Sequence, residues 1–337
     1  MGEVPAISVV MGVCNDADIL PETLASVLAQ TERDFEFIVI DDGSSDPRVG
    51  KILADVARRD ARLRVVTKSN EGLTRALIDG CAAARGTYVA RIDAGDVMAP
   101  DRLARQKAVL DAHPDVVLVT CWTEFCGPEW EPLHVERGAA SVSDGPDGWI
   151  APATFTAAEG YLVNGPTSHP SVMFRLDTYR AAGGYRWQFY YGQDGDLWGR
   201  LAERGPFAGV PAVLYRCRVF PEGLSMRNGE RQRRLHQCLF GAIQARRAGA
   251  SEEPHLQAAA AIRPPPRPAG APPPRPRPRA EGWYFVGERL RRNGDPRAAK
   301  YFREACRRRP WGAKNWLRLL QCVRLAGCPA PQEEHHA

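Results

Sequence analysis

A chain of 337 residues with 44% hydrophobic and 25% charged content can bury one large core and still carry an appendage. The net charge is only +5 and the basic excess gathers in the C-terminal third, which argues against a nucleic-acid-coating surface on the main domain. No stretch reaches the roughly 18–20 consecutive apolar residues of a membrane span, and the start lacks a basic segment followed by an apolar signal core, so the expected location is the cytoplasm. The nine cysteines are scattered, without CxxC or zinc-like spacing, and read as reduced, mostly buried thiols.

In chain order, Ile7–Met11 is an apolar strand, followed by a helix with Leu20, Leu24, Val27 and Leu28 on one face and Pro21 in its first turn. Phe35 to Ile40 is a second strand ending at Asp41-Asp42-Gly43-Ser44-Ser45-Asp46. A helix around Lys51 to Arg59, a strand over Leu63 to Val66 and a helix striped by Leu73, Ala76, Leu77 and Gly80 come next. The fourth strand, Tyr88 to Ile92, runs straight into Asp93, and a helix from Pro100 and a strand over Val116 to Val119 follow. Continuous apolar strands alternating with helices imply a mainly parallel sheet covered on both faces, whose ligands sit at the carboxyl ends of the strands. Residues 121 to 165 are irregular and rich in Gly, Pro and Trp; later come a helix from Gln193-Asp194 to Arg204 and a strand over Val210 to Tyr215.

Residues 263 to 279 are almost wholly Pro, Arg, Ala and Gly, an extended linker composition. Beyond them, Trp283, Tyr284, Val286 and Leu290, then Ala298, Phe302 and Ala305, predict a tetratricopeptide-like hairpin, with a further helix at Trp316, Leu317 and Leu320. The expected domains are 1–225 for the α/β unit, 226–250 for a helical extension, 251–281 for the linker and 282–325 for a small C-terminal all-α appendage suited to oligomerisation.

The acidic clusters after two strands carry the chemistry. Asp41 and Asp42 can accept hydrogen bonds from a nucleobase or ribose, although a DDGSSD run also reads as a turn with helix-capping residues. Asp93 and Asp96 can hold Mg²⁺ or Mn²⁺, because hard divalent cations take one or two carboxylates plus diphosphate oxygens; a capped turn is the bland alternative. There is no GxGxxG after the first strand, no P-loop and no GxSxG elbow.

Five segments taken in order, Ile7 to Asn15, Val39 to Asp46, Asn70-Glu71-Gly72-Leu73, Arg91 to Asp96 and Gln193 to Trp198, resemble the signature of family 2 glycosyltransferases over roughly residues 5 to 225. The resemblance implies a GT-A type, Rossmann-like fold and an inverting transfer of one sugar from a nucleotide-sugar donor, UDP-linked by preference, to a saccharide or lipid-linked acceptor. It implies nucleobase contact at Asp41 with Asp42 close by, base and diphosphate contact at Arg75, a DxD-like motif at Asp93-Ala94-Gly95 followed by Asp96, and a catalytic base at Asp194. It also places Asn164 to Phe174, with His169, near the sugar and acceptor. Two positions depart from the pattern. Gly95 stands where many relatives have an acidic residue, and Arg216-Cys217-Arg218 stands where they often have a histidine. A degenerate, nucleotide-free scaffold protein is the competing class, and a nucleotidyltransferase is a weaker one, since Gly12 to Asp16 supplies no phosphate-cradling loop. The Pro/Arg run also admits peripheral contact with the inner face of an anionic membrane.

Overall fold

Six of the seven residues of the first strand, β1 (Ile7–Val13), are buried, and so are all eight of β2 (Phe35–Asp42), as expected of strands covered on both faces. The computed structural model describes residues 4–138, 149–155, 162–221, 229–264 and 280–326. Helices α1 (Leu20–Leu28), α2 (Pro47–Ala57) and α3 (Leu73–Ala83) alternate with β2, β3 (Leu63–Lys68) and β4 (Tyr88–Arg91). Then come β5 (Val97–Met98), α4 (Arg102–Ala112), β6 (Leu118–Cys126), β7 (Pro132–Glu136), β8 (Trp149–Ala151), β9 (Thr154–Phe155) and β10 (Leu162–Val163). A 3₁₀ turn at His169–Ser171 leads into β11 (Met173–Arg175), α5 (Leu176–Ala181), α6 (Gln193–Leu201) and β12 (Phe207–Arg218).

The main sheet runs β3-β2-β1-β4-β11-β6-β12-β5. Pairing is parallel from β3 to β4, and β11 is antiparallel to both β4 and β6, as β12 is to β5 and β8. The parallel part coincides with the strand-helix repeat, because parallel neighbours need a crossover that only those helices supply. On one face Leu20, Leu24, Val49, Leu53, Leu103 and Leu110 pack against the sheet; on the other, Ala76, Leu77, Leu176, Leu197 and Leu201 do. Gly80 permits the closest of these approaches, since a Cβ there would meet Val10 Cγ1 at 2.5 Å. One consequence fixes the site: β1, β2 and β4 are parallel, so Asn15, Asp41 and Asp93 leave the sheet at the same edge.

The chain divides into two compact units, the first drawn from residues 1–124, 135–217 and 230–272, the second from 125–134, 218–229 and 273–337. In the first, α7 (Gly229–Arg247) and α8 (Glu253–Ala260) pack Leu235, Leu239 and Ile243 with Ala259, Ile262 and Phe189. The linker expected from residue 251 therefore starts too early: α8 has apolar residues to bury and does so. The Pro/Arg run itself, from residue 265 to 279, lies outside the described residues. In the second unit, α9 (Ala280–Arg292), α10 (Ala298–Arg308) and α11 (Ala313–Ala326) form the expected hairpin and further helix. Their core also takes in Leu133 and Val219, which the expected 282–325 appendage omitted. Tyr301 donates to Glu131 Oε1 at 2.5 Å, and Asn293 Nδ2 to the Leu133 carbonyl at 2.9 Å.

Candidate active site

At the end of β2 the two aspartates have different occupations. Asp42 accepts from the backbone N–H groups of Glu71 (2.9 Å) and Gly72 (2.7 Å) and from Asn70 Nδ2 (3.1 Å), so both its oxygens pin the loop that starts α3. Burial still raises its pKa, against those backbone hydrogen bonds. Asp42 therefore holds the loop that starts α3 in place through three of its acceptor positions. Among the described residues Asp41 accepts from Ser44 N–H alone, at 3.0 Å, and keeps the capacity for a base or ribose donor. Asn15 staples the turn from the end of β1: its Oδ1 accepts from the N–H groups of Ser45 (2.7 Å) and Asp46 (2.9 Å). Asp46 in turn caps α2 through Arg48 N–H. Arg75, in the first turn of α3, lies with its guanidinium over the Trp187 ring at 5.1 Å, and Arg263 lies over the same ring at 4.6 Å.

The end of β4 is built on buried cations. Arg91 is 0% exposed and donates to Asp93 Oδ1 at 2.7 Å, leaving Asp93's other oxygen without a recorded partner among the described residues. Arg102, equally buried, donates to the carbonyls of Arg91 (3.0 Å), Pro170 (2.9 Å) and Val172 (3.1 Å), and so ties β4 to the His169–Ser171 turn. Asp96 is 5% exposed, and its Oδ2 accepts from the Tyr215 hydroxyl at 2.7 Å. That hydroxyl oxygen accepts the Asp93 N–H at 3.2 Å. Asp96, more buried than Asp93, is thus linked to the Asp93 backbone through the Tyr215 hydroxyl. Gly95 occupies the turn with φ +95°, its N–H donated to Thr23 Oγ1 at 2.9 Å.

The third component is the 3₁₀ turn and the start of α6. Thr167 donates to the Cys121 carbonyl at 2.7 Å, Thr120 and Ser171 hydroxyls lie 2.9 Å apart, and Ser168 and Ser171 form a capping box. This lattice presents His169 Nδ1 to Arg91 Nη2 at 3.4 Å and Nε2 to the Tyr185 hydroxyl at 2.7 Å. Burial, then the Arg91 charge, lowers the His169 pKa well below its usual value, so the ring is neutral and accepts from Arg91. Asp194 lies in the first turn of α6. Burial raises its pKa, opposed by the Gly195 N–H and by Arg91, and assisted by the charge of Asp93. Asp194, Asp93, Arg91 and His169 thus form one electrostatic group.

Several participants escaped the sequence reading. Asp16 follows β1 at the same sheet edge; burial pushes its carboxyl up to about 6, and the Asp93 charge adds to the rise. Its signal was available, an acidic residue directly after a buried strand. Arg102, Tyr215 and Tyr185 carried none, because charged and aromatic residues inside apolar patterns read as surface or core, and Arg91 was visible only as the first residue of the Arg91 to Asp96 segment. The site accommodates a divalent cation in one way. Asp93 is about one-third exposed (35%), and one carboxylate with diphosphate oxygens is a ligand set that Mg²⁺ and Mn²⁺ accept. Among the described residues no three His, Cys, Asp or Glu gather as a protein-only metal cage.

The model of the glycosyl transferase family 2 matches residues 8–175. The amylovoran biosynthesis glycosyltransferase AmsE of Erwinia amylovora is 30% identical over 216 residues, covering 62% of this chain and 74% of AmsE. The chain belongs to the family 2 glycosyltransferases. Other relatives of this family 2 chain are longer. It is 32% identical over 229 residues (66% of the chain) to the uncharacterised protein y4gI of Sinorhizobium fredii, of which it spans 23%. It spans 11% of the O-antigen biosynthesis protein RfbC of Myxococcus xanthus, at 36% identity over 38% of the chain. Two solved structures share its GT-A fold. S. aureus TarS 1-349 in complex with UDP has TM-score 0.51 and 15% identity over 94% of this chain and 89% of that one. The mannosyltransferase PcManGT from Pyrobaculum calidifontis, in complex with GDP-Man and Mn²⁺, has TM-score 0.51 and 17% identity over 96% and 86%.

Proposed function

We propose that this family 2 chain is an inverting transferase that moves a single sugar from a nucleotide-sugar donor, UDP-linked in the first instance, to a hydroxyl of a saccharide or lipid-linked acceptor in surface polysaccharide or glycoconjugate synthesis. The observation that carries the reading is the Asp194 carboxyl, its pKa raised by burial beside Asp93 and Arg91, which makes it a stronger proton acceptor than an ordinary aspartate. In the reaction Asp194 takes the proton of the acceptor hydroxyl, the freed oxygen bonds to the anomeric carbon, and the carbon–oxygen bond to the diphosphate breaks with its electron pair leaving on the diphosphate. A Mn²⁺ or Mg²⁺ ion held by Asp93 would offset the charge building on that leaving group. Asp41 and Arg75 hold the nucleotide, and neutral His169 fixes Arg91 and Tyr185 beneath the sugar. The polysaccharide context rests on the names of AmsE and RfbC, and the nucleotide on the UDP and GDP-Man of the two solved structures.

The test is donor hydrolysis and transfer over a panel of UDP- and GDP-sugars, with and without Mn²⁺. Turnover with one donor class, abolished by Asp194→Asn while nucleotide affinity stays, is the expected result. Absence of nucleotide binding by calorimetry with either base would instead favour the scaffold reading, for which Gly95 in the metal turn is the motivating feature.

A further inference from the structure

Charge in this chain is segregated. Residues 280–326 hold twelve Lys and Arg against four Asp and Glu, whereas residues 1–262 hold twenty-eight against thirty-four. The helical unit therefore carries a net +8, more than the whole chain's +5. From residue 305 to 326 there is no acidic residue at all.

The same stretch shows an uncovered apolar face. Trp311 is 81% exposed, Trp316 46%, Leu317 54% and Leu320 58%. On α11 the last three stand at positions i, i+1 and i+4, one side of the helix, while Asn315 and Cys322 on the other side are buried. The Trp316 indole N–H is already satisfied by the Pro310 carbonyl at 2.7 Å, so its ring is presented as apolar surface. Arg307 and Arg309 beside it have side chains 68% and 56% exposed, and Lys314 is exposed too. Glu304 and Glu288 are ion-paired to arginines of their own unit and far less exposed, whereas Glu281, paired to Arg309, is 67% exposed.

We propose that Trp311 and the outer face of α11 dock the protein on an anionic lipid surface. Two large indoles and two leucines flanked by arginine and lysine, with one exposed carboxylate, Glu281, paired to Arg309 at 3.6 Å, match what a headgroup–acyl boundary accepts: apolar rings enter, and long basic side chains reach back to lipid phosphates. A second protein would need complementary acidic residues, and the acidic part of this chain offers no apolar patch of comparable exposure among its described residues. This assigns membrane contact to α11 rather than to the Pro/Arg run, and it stands apart from the sugar-transfer reading.

The experiment is flotation of the full chain with vesicles of phosphatidylcholine alone and of phosphatidylcholine mixed with phosphatidylglycerol. Binding to the anionic vesicles roughly tenfold or more above the neutral ones, weakened by salt, is expected. The triple variant Trp311→Ser, Leu317→Ser, Leu320→Ser should lose at least about tenfold of that binding with an unchanged melting temperature, since the three sites are exposed. Replacing Arg267, Arg275, Arg277 and Arg279 with Ser should keep it. Should the triple variant melt early, quenching of tryptophan fluorescence by brominated lipid decides the matter: it must fall when Trp311 and Trp316 are changed to Phe. Equal binding to both vesicle types, or loss through the Arg variant alone, overturns the proposal. So does a dimer in solution that the triple variant converts to monomer without any lipid binding.

Discussion

Buried carboxylates stand at both ends of the main sheet, and their surroundings differ. At the amino end of β2, Glu36 is 3% exposed and accepts from Ser8 Oγ (2.8 Å), Arg64 Nη1 (2.6 Å) and both the N–H (2.9 Å) and Nε (3.1 Å) of Arg85. Burial pushes its pKa up, but those four donors carry it below the usual value. At the carboxyl end Asp41 and Asp42 are as buried as Glu36, while Asp16 and Asp194 are half-buried, have fewer donors and feel the Asp93 charge, and their pKa values rise. Burial is common to both ends, so it does not mark the functional one. The difference lies in compensation: a carboxylate whose desolvation is fully answered holds structure, and one whose desolvation is not answered remains available to a proton or a cation.

The largest test of that contrast is Asp194→Asn, expected to lower kcat by about 10³-fold with nucleotide affinity intact. A normal turnover would remove the base from the carboxyl end. Because the Asp194 pKa is raised, its protonated form persists above the ordinary aspartate range and cannot accept a proton. The acid limb of kcat/KM should therefore rise with pH at values above those of a free carboxylate, and the Asn variant should lose that limb. Next, Asp93→Asn should cost about 10²-fold in turnover and abolish stimulation by Mn²⁺, read by titrating the metal at saturating donor. Tyr215→Phe removes the hydroxyl that links Asp96 to the Asp93 N–H, and about a tenfold loss of Mn²⁺ affinity is expected with little change in melting temperature. The smallest kinetic effect belongs to Glu36→Gln, which should leave kcat alone but destabilise the fold by about 2 kcal/mol at neutral pH, a figure discounted because Arg64 and Arg85 are half exposed. Its pKa is lowered on folding, so its stabilisation is complete above the unfolded value of 4.5 and is lost on acidification through the folded value. Wild type and variant should converge in acid denaturation; a constant gap across pH would mean that the ionised network is not what Glu36 contributes.

What the sequence revealed follows the same line. β1 to β4 were legible because buried parallel strands leave apolar runs and their crossovers leave helical stripes. β5 and β11 were not, at two and three residues, although β11 is the strand that joins the parallel part to β6. Asp41, Asp93 and Asp194 were legible as acids at strand or helix ends, the last only through family resemblance. The split of work within Asp41/Asp42 and Asp93/Asp96 was hidden, because it depends on Asn70, Gly72 and Tyr215, which arrive from elsewhere in the chain. The burial of two arginines was hidden for a simpler reason: guanidinium groups in a sequence read as surface.

Gly95 sets a limit on how this chain could change by mutation. With φ at +95° its position tolerates an L-amino-acid side chain only at a cost of about 1–3 kcal/mol, so an aspartate introduced there would restore the letters of a DxD motif on a backbone that opposes it. A route back to a fuller metal motif therefore passes through a remodelled turn and a new partner for Thr23, more than one substitution away. On the proposed reading, a chain with glycine at this position grips a cation through Asp93 alone, and a tighter grip would come first from the residues that orient Asp93.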